Sequence, residues 1–129
     1  MSEIRVPISP GELLDKITIL RIKSTRMSDP QKLANVRSEL QVLEETWHGS
    51  NYAKAGIAAD TNALLEVNER LWVIEDDIRH KERAQAFDAE FIRLARAVYI
   101  ENDERAAIKR RINLKLGSTI IEEKSYKVY

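Results

Sequence analysis

Leu33, Val36, Leu40, Leu43 and Trp47 recur at intervals of three and four residues, as do Leu64, Val67, Leu71, Ile74 and Ile78. That spacing puts each set on one face of an α-helix and does not match the period of two that a half-buried strand needs. The chain has only four glycines and three prolines to interrupt such stripes, and the fold they predict is all-α. Ser9, Pro10 and Glu12 mark a helix start with capping-box spacing and proline at the first helical position, and Asp29 with Pro30 repeats the signal. "SDP" at 28–30 therefore ends one helix and begins the next, an antiparallel hairpin over 9–47. Residues 48–60 carry two glycines and no period, and read as the longest loop and a candidate flap. A third helix is predicted over 61–85. A fourth spans 88–116, with Asp88 as its cap, "END" at 101–103 as a potential break and Gly117 as its stop. Ile4, Val6 and Ile8 alternate, so a minor terminal strand pairing between 3–8 and the tail 118–129 is a candidate. The expected architecture is an antiparallel helical bundle of four to five helices in a single domain, 1–129.

Bulk chemistry removes several function classes. A third of the residues are charged yet the formal net charge is zero, so no global field draws in nucleic acid or an anionic membrane. "RAAIKRR" at 105–111 is basic, but its charges run round the helix and make no groove-binding stripe. With no cysteine and two histidines, disulfides, thiolate chemistry and Ser/His nucleophilic catalysis are unsupported. "SPGE" is a helix start and not a phosphate loop, and no cofactor motif is visible. Glu69, Asp76 and His80 share a face at metal-ligand spacing, but a solvated face explains them better, and no metal is expected. Trp47 and Trp72 read as core anchors. Neither a signal peptide nor a membrane span is apparent, which makes a cytoplasmic protein the expectation.

The first helix stands apart. Leu13, Ile17, Leu20 and Met27 form one face, but Leu14, Ile19 and Ile22 point elsewhere. Apolar surface all round calls for a central position or a second buried contact, and in a short chain the expectation is a homodimer through this helix.

Polar residues occupy core directions in two other places. At about 100° per residue, Asn68, Glu75 and Arg79 fall between the two apolar groups of the third helix, while Asp76, Asp77 and His80 point away. On the fourth helix, the direction set by Phe91, Leu94, Ala95 and Val98 continues through Asn102, Arg105, Lys109 and Asn113. If the two polar patches face each other, they enclose a small cavity with excess positive charge. It could hold a small anionic ligand, a phosphate or carboxylate on Arg105 and Lys109, with Arg79 oriented by Glu75. It could equally be an inter-helix salt-bridge network with no ligand, and such networks are common in long helices.

The strings "ISPGELLDKITIL", "KLANVRSEL", "LWVIEDDIRHKE", "FIRLARAVYIENDERAAIKRRIN" and "EEKSY" together resemble a family of short bacterial proteins of unknown function. The resemblance spans nearly the whole chain. It implies a small helical domain and carries no activity or catalytic residue. The architecture is also similar to that of the all-helical chorismate mutases, at the level of fold alone. Two functions stay open. One is a non-catalytic homodimeric interaction or binding module holding a small anion. The alternative is a metabolic enzyme acting on a phosphorylated or carboxylated molecule, with Arg79, Arg105 and Lys109 stabilising charge and Glu75 as acid or base.

Overall fold

A computed structural model describes residues 2–129. It is all-α, with four helices: α1 (Pro10–Arg26), α2 (Pro30–His48), α3 (Ala58–Arg83) and α4 (Ala89–Lys115). Three of the four starts are built by side chains. The Ser9 hydroxyl accepts from the Glu12 amide at 3.1 Å, Asp29 accepts from Lys32 at 3.0 Å and Asp88 from Phe91 at 3.0 Å. Helix α3 has no such cap; it begins behind Ile57, three residues before the Thr61 start expected from the sequence. Helix α4 runs unbroken through 101–103, and Gly117, at φ 65°, closes it.

Helix α1 is the centre of the bundle. It packs against α2, α3 and α4, whereas α2 touches no helix but α1. Leu13, Leu14, Ile17, Leu20 and Ile22 are all buried, and the main cluster joins Leu14 to Ile57, Leu64, Val67, Ile108 and Ile112. Most of the apolar surface of this helix is therefore covered by its own chain, while Ile19 and Met27 are half-buried. Within one chain, α2, α3 and α4 supply buried contacts on several sides of α1. Close approach is made possible at Gly11: a Cβ there would lie 2.7 Å from the Lys109 carbonyl oxygen and 2.8 Å from Asn113 Oδ1.

The termini depart from expectation. Neither 3–8 nor 118–129 forms a strand, and Ile4, 90% exposed, has nothing beside it to pair with. The tail instead runs along α4 as irregular chain, held by side chains: Arg110 to Glu123 at 2.7 Å, and Tyr129 edge-on to Tyr99. Among the described residues, no helix is long and apolar enough to cross a membrane.

Candidate functional site

A polar seam runs through the middle of the bundle, where α1 packs against both α3 and α4, which also pack on each other. Gly11, Asp15, Thr18 and Ile22 of α1 recur at intervals of four, three and four, one helical face that is polar in its first turns. Asp15 is 5% exposed and Thr18 fully buried. Opposite them on α3, the Asn68 amide donates to Asp15 Oδ1 at 2.9 Å and to Thr18 Oγ1 at 3.0 Å. From α4, Asn113 Oδ1 accepts the Gly11 amide at 2.7 Å, and the Lys109 ammonium donates to Glu12. Lys109 also stands 3.6 Å from Asp15 and 3.8 Å from Glu122 of the tail. Every fully buried side-chain polar atom among the described residues has a partner, as a buried network requires.

Charge in the seam centres on Lys109, one ammonium facing three carboxylates. Burial pulls its pKa down, but the Glu12 hydrogen bond and the nearby charges of Asp15, Glu12 and Glu122 outweigh that, so the ammonium titrates above the ordinary lysine value. Burial, the largest single influence, raises Glu12, yet it ends below the usual carboxylate range because hydrogen bonds with Lys109 and Glu122 and the charges of Lys109 and Lys16 together outweigh that. Glu122 is pushed up, first by its hydrogen bond to the Glu12 carboxyl and then by burial.

The seven residues singled out by sequence do not converge on one cavity. Asn102, Arg105, Lys109 and Asn113 line a space of about 170 Å³ between α4 and the tail. Asn68, Glu75 and Arg79 line another, of about 300 Å³, between α1 and α3. Arg105 belongs to both, and to a third beside Tyr99, Tyr126 and Tyr129. Glu12 of α1 takes up Lys109, and Asp15 with Thr18 takes up Asn68, so these members of the two patches face α1 and not each other. Two corrections follow. Lys109 is not an uncommitted cation but the hub of three carboxylates. Glu75 and Arg79 pair at 3.2 Å, yet at the rim: Arg79 is 72% exposed, and Leu65 and Trp72, the second apolar group of this helix, are only half-buried. Arg105 differs from both. It is half-buried and forms no ion pair among the described residues.

Sequence reasoning missed Glu12, Asp15, Thr18, Glu122 and Asp60. The last is buried and takes Arg111 at 2.8 Å and Lys115 at 2.7 Å, tying the start of α3 to the end of α4. The face projection that found the α3 and α4 stripes would have found Asp15 and Thr18 on α1. Nothing local marks Glu122, which sits in irregular chain. Asp76 and His80 are exposed, and among the described residues no group of three or more His, Cys, Asp or Glu is placed to hold a metal ion.

No curated protein and no solved structure matches the chain. A family model does, over residues 4–129. That match takes in α1 through α4, the polar seam and the tail that completes it, and the chain belongs to the family of unknown function DUF6165.

Proposed function

We propose that the chain is a non-catalytic helical binding module that holds a small anion against Arg105. The observation that carries this reading is the state of that side chain: half-buried on α4, lining three cavities, and without an ion pair among the described residues. A partly desolvated guanidinium with no counter-charge is costly, and its planar fork suits a carboxylate or a phosphate. The other cations of the expected site are already matched, Arg79 by Glu75 and Lys109 by Glu12. Asn102, on the same face one turn earlier, supplies a neutral hydrogen-bonding group beside it. The enzymatic alternative leans on Glu75 as acid or base, but that carboxylate stands at the rim, engaged by Arg79, where water is not excluded. The homodimer through α1 stays part of this proposal, and the copy number in solution tests it.

The test is a titration with inorganic phosphate and with acetate, followed by amide and side-chain NMR shifts. Shifts centred on Arg105 and Asn102, lost in Arg105→Gln and kept in Arg79→Gln, are the expected result. Shifts scattered over exposed lysines, or unchanged in Arg105→Gln, would sink the reading. Native mass spectrometry of the same sample reports copy number and any retained small molecule.

A further inference from the structure

Two of the cavities that Arg105 lines are unlike, and the difference points to a ligand class. The space toward the tail is walled mostly by charged and amide groups whose charges are already engaged: Arg110 with Glu123 in the wall, and Lys109 and Lys124 with Glu12 and Asp103 outside it. The space between α1 and α3 has an apolar floor made by Ile19 and Ile22 of α1 with Leu71 and Trp72 of α3. Its edge holds two cations without ion pairs, Arg105 and Lys23, and one unpaired acid, Asp76; the Glu75–Arg79 couple is closed on itself.

We infer that this apolar cavity takes an organic monocarboxylate, its carboxylate on Arg105 and a single aromatic or branched apolar body over Trp72. The inference rests on the anion reading given above and specifies its ligand. Three observations combine. First, the uncommitted charges at the edge sum to plus one, two cations against Asp76, which matches one negative charge and penalises a doubly charged phosphate beside Asp76. Second, an inorganic ion gains nothing from Ile22, Leu71 and Trp72, whereas an apolar body placed there removes its own surface and theirs from water. Third, the volume of about 300 Å³ lies at the small end of ligand pockets, enough for one ring or a branched chain and too little for a nucleotide. A carboxylate is also the group that a guanidinium fork grips through two parallel hydrogen bonds.

The experiment uses the full chain and four probes: 3-phenylpropionate, acetate (the head without the body), 2-phenylethanol (the body without the head) and inorganic phosphate. Affinities come from calorimetry and from NMR, where the Trp72 indole N–H reports the cavity. The Trp47 indole, which lines a different space beside the 49–57 loop, serves as internal control. The expected result is that 3-phenylpropionate binds at least about tenfold more tightly than acetate or 2-phenylethanol, since each buried methylene is itself a several-fold gain. It should shift the Trp72 signal and not that of Trp47, and weaken about tenfold or more in Arg105→Gln. If acetate or phosphate binds at Arg105 as tightly as 3-phenylpropionate, the anion site stands and the apolar body is wrong. Equal binding of 2-phenylethanol overturns the role given to Arg105 here. Failure of all the anions to perturb Arg105 overturns both this inference and the reading on which it rests.

Discussion

Helix α1 meets its neighbours through two unlike interfaces. Toward α3 and α4 it presents Gly11, Glu12, Asp15 and Thr18, each bonded across to a named partner, together with Leu14 in the apolar cluster. Toward α2 the contact is apolar and shallow: of the stripe Leu33, Val36, Leu40, Leu43 and Trp47 only Val36 is buried. The one ion pair between α1 and α2, Arg21 with Glu44 at 3.7 Å, is solvent-exposed and contributes little. Apolar contact supplies attraction without direction, so α2 could shift along α1 at small cost. The seam cannot, because every hydrogen bond in it exists at one register. The body of the protein is therefore the α1–α3–α4 trio, with α2 laid on its outside.

The severest way to break that contrast is Gly11→Ala. The new Cβ would meet backbone at Lys109, which cannot step aside, and would crowd the Asn113 carboxamide off the Gly11 amide. A loss of about 3 kcal/mol is expected in chemical denaturation; a stability within about 0.5 kcal/mol of wild type would mean that α1 and α4 are not so closely apposed. Next, Asn68→Ala should cost about 2 kcal/mol, because it strips the Asp15 carboxylate and Thr18 of their shared donor. Val36→Ala in α2 should cost about 1 kcal/mol, and amides of α2 should exchange with solvent before those of α3 and α4. Reversed costs, or uniform exchange across the four helices, would erase the distinction between body and outer layer.

The gentlest probe is pH. Hydrogen bonds from Lys115 and then Arg111 outweigh the burial of Asp60 and hold its pKa below the ordinary 3.8. The unfolded chain thus binds this proton more readily than the native one. The stabilisation is complete above pH 3.8 and is lost as the pH falls through the lower native value. Wild type should exceed Asp60→Asn in stability at neutral pH by a constant margin that narrows below pH 3.8. A margin unchanged down to acid unfolding would deny Asp60 its part in joining α3 to α4.

What could be read from the residues follows from where structure is written locally. The starts of α1, α2 and α4 were legible because Ser9, Asp29 and Asp88 cap with their own side chains, two of them with proline behind. The start of α3 was not, since Ile57 offers the backbone nothing. Glu12 has a sufficient local role near the helix start, which hid its longer reach to Lys109. A helical projection gives direction but not depth. It set Asn113 and Glu75 in equivalent positions, yet α1 covers the first and solvent reaches the second. Each of the seven candidate residues lies on a polar stretch of a core-directed face, and only the packing of α1 against α3 and α4 decides that they line separate cavities.

The bond from Gly11 to Asn113 joins residues 102 positions apart. A ribosome extends a chain at roughly 5–20 residues per second, so α1 leaves the tunnel on the order of ten seconds before the groups that will complete it. During that interval Asp15 and Thr18 have only water, and the apolar flank of α1 has only α2, the next helix made. The shallow interface is then the earliest native shelter available. The weak outer layer of the finished protein is the first companion of its central helix during synthesis.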